Sequence, residues 1–196
     1  MILGIIAEDL SDVAVMRKLT AKVLPESAFS IKHFVGNGCG KLRRKCAAWA
    51  DALRRRGCSH IVVVHDLDEA DETELRLLLE RAISSVRVQG SIIVIPVREI
   101  EAWLLSDSRA IQRVFNMQRE PRVPRNPESV RDPKATLERL VWTAGKKRYV
   151  NSIHNERIAG EARLQSLHQC RSFRPYPDFL RRSAESGRSG ATGDRR

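Results

Sequence analysis

The chain has 196 residues, of which 42% are hydrophobic and 30% charged, and it carries a formal net charge of +11. That length suits one well-buried core plus a tail, not two ordinary domains, and the apolar runs fall short of the ~20 residues a membrane-spanning helix needs. The basic balance makes polyanions, nucleic acid first among them, the expected partners.

Residues 1–7, MILGIIA, form an uninterrupted apolar run. No basic stretch precedes it and acids follow it, so it reads as a buried strand and not as a signal peptide, and a cytoplasmic location is expected. Residues 11–24 then carry Val13, Val15, Met16, Leu19 and Val23 near helical spacing. A weaker strand is expected over 28–35, and Gly36, Gly38 and Gly40 mark the turn after it. Residues 41–56 set Leu42, Cys46, Trp49 and Leu53 on one stripe of a strongly basic helix that Gly57 closes. The branched run Ile61 to Val64 predicts a strand buried on both faces. A helix follows over 71–88 with Leu75, Leu78, Leu79, Ala82, Ile83 and Val86 inward, and another buried strand over 91–97. Strands alternating with helices predict an α/β fold with a mostly parallel four-stranded sheet flanked by helices.

Beyond Phe115 the pattern changes. Pro121, Pro124, Pro127 and Pro133 break any regular element, which predicts a long connecting loop. Helical spacing resumes over 134–142 and 152–167, and Phe173, Tyr176, Phe179 and Leu180 are expected to dock the end of the fold. The chain therefore divides into an α/β core over 1–116, a helical extension packed on it over 117–180, and a basic tail over 181–196 that is expected to be disordered. Arginines at 181, 182, 188, 195 and 196 against Glu185 and Asp194 contribute a net three charges there, and the other eight belong to the folded part. Cys39, Cys46, Cys58 and Cys170 have neither zinc-site nor disulfide spacing and are expected to be reduced. Trp49, Trp103 and Trp142 sit among aliphatic residues as expected core anchors, and His65, pointing away from the face Asp66 uses, is expected to be structural.

The acids collect at the strand ends. Glu8 and Asp9 follow the first strand, Asp66 and Asp68 the third, and Glu99 and Glu101 the fourth. Ligands of open parallel sheets bind beyond the carboxyl ends of the strands. Clustered carboxylates repel, and hard oxygen donors select Mg²⁺ or Mn²⁺, so a divalent cation is the expected cofactor. The same acids also suit helix caps, the simplest role for Asp12, Asp71 and Asp107. Arg98, with Lys41, Arg43, Arg44 and Lys45, forms the candidate track for nucleic-acid phosphates. The glycine turn 36–40 is not a phosphate loop, because three residues instead of four separate Gly36 from Gly40 and Leu42 follows Lys41.

The segments Ala7-Glu8-Asp9-Leu10-Ser11-Asp12, His65-Asp66-Leu67-Asp68 and the run from Pro96 through Glu101-Ala102-Trp103-Leu104-Leu105 to Asp107, together with 126–134 and Ser172-Phe173, resemble a family of small Toprim-like proteins of unknown function. The wider Toprim group includes topoisomerases, primases and nucleases of the overcoming-lysogenization-defect type. The resemblance implies that Glu8, Asp66 and Asp68 are catalytic and, with Glu101 as a further acid, metal-binding, in Mg²⁺-dependent cleavage of phosphodiesters. It also implies a phage-defence or similar setting and an ATPase partner protein; a homo-oligomer is a separate association that the sequence leaves open. Asp9 stands where the group carries glycine. A non-catalytic module that binds nucleic acid or an ATPase remains the alternative.

Overall fold

The computed structural model describes residues 1–189. Four strands, β1 (Ile2–Ala7), β2 (Ser30–Val35), β3 (His60–Val64) and β4 (Gly90–Val94), alternate with helices α1 (Leu10–Val23), α2 (Cys39–Arg55) and α3 (Glu72–Ile83). They form one sheet in the order β2-β1-β3-β4 with every neighbouring pair parallel. Parallel neighbours cannot be joined by a hairpin, so each connection must cross over through a helix.

The side-chain alternation of the strands sorts the core into two layers. Leu3, Ile5, Val62, Val64 and Val94 pack with Val13, Met16 and Leu19 of α1 on one face. Ile6, Ile61, Val63 and Ile93 pack with Leu42, Cys46 and Leu53 of α2 and Leu75 and Leu79 of α3 on the other. All five residues of β3 are buried, which accounts for its unbroken branched sequence.

Six further helices follow, α4 (Glu101–Leu104), α5 (Ser108–Val114), α6 (Pro133–Gly145), α7 (Asn151–Glu161), α8 (Leu164–Leu167) and α9 (Pro175–Ser189). Their buried residues, Trp103, Leu137, Ile158 and Leu180 among them, join the same cluster as Leu3 and Val62, as does Phe173 in the turn before α9. The extension expected from residue 117 onward thus completes the α1 face of the sheet. Trp103 is fully buried, donates from Nε1 to Ser172 Oγ at 2.8 Å, and meets Phe173 edge-on, so the Glu-Ala-Trp-Leu-Leu stretch is the seam between core and extension. Asp107 strengthens that seam. It caps α5 through Ala110 N and accepts from both the backbone N and Nε of Arg163 at 2.9 Å. Burial raises its pKa, but those hydrogen bonds outweigh burial and hold the carboxyl at about 2.

Several expectations are corrected. The helix expected over 71–88 is α3, and Leu78 lies on its solvent side at 46% exposure, because the inward stripe runs through Leu75, Leu79 and Ile83 with Ala82 and Val86 packed partly against the core. Trp142 is not a core anchor but 58% exposed on α6, while Trp49 stacks on Phe34 in a half-buried position. Helix α9 runs through Ser189, where a disordered tail was expected from 181, and it buries Ser183. Residues 190–196 of that expected tail lie outside the described residues. Among the described residues, no helix is long and apolar enough to cross a membrane.

Gly4 sits where β1 meets α2. A Cβ there would approach Ile61 Cδ1 to 2.8 Å and Leu53 Cδ1 and Cβ to 3.0 and 3.1 Å. Gly4→Ala is therefore expected to lower stability by about 1–3 kcal/mol, the usual cost of overfilling a packed interior. Urea unfolding of the variant checks this, and an unchanged midpoint would show that the helix yields freely.

Candidate functional site

In the sheet order, β1 is flanked by β2 on one side and by β3 on the other. The direction of winding reverses between β1 and β3, and the crevice beyond their carboxyl ends is where doubly wound sheets hold ligands. Glu8 leaves β1 at that edge, and Asp66 follows β3 two residues after its last paired position.

Glu8 and Asp66 are in direct contact, since the Asp66 backbone N donates to Glu8 Oε1 at 3.1 Å. The same oxygen lies 3.2 Å from His65 Nδ1. Arg43, from the first turns of α2, donates from Nε to His65 Nε2 at 3.0 Å. An imidazole nitrogen that accepts from arginine carries no proton, so the ring proton sits on Nδ1, facing the Asp66 carbonyl at 2.7 Å and Glu8. His65 takes the strand face opposite Asp66, as alternation requires, yet that face carries Glu8 and Arg43. Fully buried, it links Arg43 to Glu8 at the edge of the crevice.

The other side of the crevice holds Asp66, Asp12 and Glu101. Asp66 Oδ1 is the one buried side-chain polar atom among the described residues that lacks a hydrogen-bond partner. Burial raises the Asp66 pKa well above the carboxylate range, and the charges of Asp12, Glu101, Glu8 and Asp68 push the same way. Asp12, buried in the first turn of α1, is pushed up to about 8 by burial and then by Asp9, with Glu101 and Glu8 adding to the effect. Glu8 is raised to about 7, again chiefly by burial, while the Asp66 amide opposes the shift.

Glu101 opens α4 and is nearly fully buried. Its Oε1 accepts from Asn155 Nδ2 at 3.0 Å and lies 3.2 Å from the Tyr149 hydroxyl, which is itself 2.5 Å from Asn155 Oδ1. Asn155 also donates to Ser11 Oγ at 3.0 Å. The helical extension thus reaches into the acid cluster through two residues that sequence reasoning missed. One signal was available: Asn155 occupies the buried stripe of α7 that Ile158 and Ala159 continue, and a polar residue there requires a partner.

The remaining predicted residues divide. Asp68 is exposed in a left-handed conformation (φ 49°), and its amide donates to the Arg98 carbonyl at 3.1 Å. Arg98, also left-handed (φ 64°), pairs with Glu69 and donates to the Asp68 carbonyl, so it braces the loop after β3 instead of facing the buried acids. Glu99 accepts from the Lys134 amide at 3.0 Å and ties down the start of α6. Of the four basic residues of α2 expected to grip phosphate, only Arg43 turns inward, to His65, and Lys41, Arg44 and Lys45 project into solvent. Asp9 caps α1, accepting from Ser11 N and Asp12 N, while Asp12 accepts from the Asp9 amide. Its φ of −142° is open to any residue, so no glycine is needed there. Asp71 caps α3 by accepting from Glu74 N.

Glu8, Asp66, Asp68 and Glu101 thus converge on one sheet edge but not on one point. Among the described residues, no group of three or more His, Cys, Asp or Glu side chains has its ligand atoms gathered as a metal ion requires. Glu8 is turned to His65, Glu101 to Asn155 and Tyr149, and Asp68 to solvent.

Fold and site together define a doubly wound α/β protein with an acidic crevice at its switch point. Residues 7–181 match the family described as a domain of unknown function (DUF4276), and the chain belongs to that family. No curated protein and no solved structure matches it.

The raised acids fix the sign of a pH effect. Glu8 and Asp12 titrate near 4.5 and 3.8 when unperturbed, and at about 7 and 8 in the folded chain. The folded state binds the extra protons between those limits, so this contribution to stability is complete below about pH 4 and is lost as pH rises through 7 to 8. In metal-free buffer the melting temperature is expected to fall by several degrees from pH 5 to pH 8, because about 1 kcal/mol moves it by ~2–4 °C for a chain of this size. Glu8→Gln with Asp12→Asn is expected to flatten that slope, and an equal slope in parent and double variant would contradict the assignment.

Proposed function

We propose that this protein is a Toprim-like, Mg²⁺- or Mn²⁺-dependent nuclease acting on nucleic-acid phosphodiesters at the crevice between β1 and β3. The observation that carries the reading is the unpartnered, buried Asp66 Oδ1 beside Glu8, Asp12 and Glu101. An orphaned anionic oxygen in an acidic surround is costly unless a proton or a cation joins it. Hard carboxylate oxygens are the donors that Mg²⁺ or Mn²⁺ selects, and Asp66 Oδ1 is free to be one of them, whereas Glu8 and Glu101 would have to turn from His65 and from Asn155 and Tyr149 to complete the set. When bound, such an ion would stabilise the charge that grows on phosphoryl oxygens and acidify water.

The chain's own residues supply the rest. Glu8, with a pKa of about 7 and one oxygen against His65 Nδ1, is placed to take up and return a proton near neutral pH. Arg43 holds the His65 tautomer through Nε and brings positive charge to the edge of the crevice. Tyr149 and Asn155 fix Glu101. Lys41, Arg44 and Lys45, exposed along the same helix, give a track for backbone phosphates.

By resemblance, the setting is a phage-defence or similar mobile-element system with an ATPase partner; a cytoplasmic location and self-association complete the proposal. A non-catalytic module that binds nucleic acid or the ATPase is the competing reading, and it draws on the separation of the acids from any shared coordination point.

Asp66→Asn separates the two. Incubated with labelled single-stranded, double-stranded and RNA substrates in Mg²⁺ or Mn²⁺, the parent is expected to cleave and Asp66→Asn to lose roughly a hundredfold or more of the rate. The same variant is expected to melt a few degrees higher without metal, because it removes an uncompensated buried acid from a site that trades stability for function. Equal cleavage by parent and variant, or no cleavage by the parent on any substrate, would overturn the nuclease reading.

A further inference from the structure

The segment from Arg119 to Arg148 carries nine Lys and Arg residues against four acids, so nearly half of the chain's net charge of +11 lies in thirty positions. The acid cluster uses none of these cations. Helix α6 runs through the segment and presents Trp142 to solvent at 58% exposure, a large apolar ring with no place in the core. Lys146 ends the helix in a left-handed conformation (φ 50°), which turns the chain back and sets its Nζ over the Trp142 ring at 5.7 Å from the centroid. Beside the ring is an open hollow of about 530 Å³ whose walls include Arg139, Lys147, Arg148 and Tyr149, with Glu138 as the one acid against three cations. Tyr149 is also the residue whose hydroxyl lies against Glu101, so one aromatic side chain separates this hollow from the acid network.

An exposed indole flanked by four cations suits one class of ligand better than others. A nucleobase offers a flat π face to the ring, and its phosphate offers an anion to the lysines and arginines. A paired base has both faces covered by its stack, so the ligand must be unpaired. We infer that Trp142, with Lys146, Lys147 and Arg148, is a stacking platform that holds an unpaired nucleotide beside the acid crevice, making single-stranded nucleic acid the substrate class. The inference rests on the nuclease reading for its biological meaning, but binding can be measured without turnover.

The test uses the full chain in EDTA, where metal-dependent cleavage is silent, with fluorescein-labelled oligonucleotides read by anisotropy. Trp142→Leu is expected to weaken single-strand binding roughly tenfold, as loss of one base stack does, and Trp142→Phe to retain most of the affinity. Lys147→Glu with Arg148→Glu is expected to weaken binding and reduce its salt dependence. Duplex of equal length is expected to respond little to Trp142→Leu. Equal single-strand affinity for parent and Trp142→Leu, with both folded by circular dichroism, overturns the inference. So does a parent that self-associates in sedimentation velocity while Trp142→Leu does not, which would make the ring a contact between copies. Loss of cleavage in Asp66→Asn bears on the nuclease reading alone and leaves this result untouched.

Discussion

One carboxylate governs this structure. Asp66 sits just past the most buried strand, at the point where the winding of the sheet reverses, with a bare oxygen and four acids close enough to oppose its ionisation. No sheet needs such an arrangement to fold, and an apolar residue there would remove the conflict. The acids Glu8 and Asp12 share the strain, each held toward its protonated form chiefly by burial. The cluster is compatible with itself only when protons or a cation enter it.

The rest of the fold is arranged around that edge. Helix α1 delivers Asp12 through a reciprocal cap with Asp9, α2 delivers Arg43 to His65, and α7 delivers Asn155 to Glu101. The helical extension is thus part of the site's machinery as well as its packing. Its burial against α1 explains why one hydrophobic cluster runs from Leu3 to Leu180. Two left-handed residues beside the crevice, Asp68 and Arg98, brace each other across adjoining loops.

Much of this was legible in the sequence, and for a physical reason. Branched runs such as Ile61 to Val64 admit few placements other than a doubly covered strand, and the acids that end them had to gather on one edge once the sheet was parallel. What stayed hidden depends on tertiary approach. Nothing in the order of residues tells that Glu101 meets Tyr149, that Arg43 alone of the basic residues on α2 reaches inward, or that Arg98 spends its charge on Glu69. Trp142 misled because its neighbours Leu137 and Val141 are buried, and the ring lies one position past that stripe. Asp12 was recognised as a first-turn residue, but its second role required knowing that the turn faces Asp66.

The central claim is that protons and a divalent cation compete for one crowded set of oxygens. Calorimetric titration of Mn²⁺ into the metal-free protein at pH 6 and at pH 8, with Asp66→Asn alongside, tests it most directly. The account predicts a saturable site that tightens as pH rises and vanishes in the variant. Binding that is absent, insensitive to pH, or equal in the two proteins would contradict it.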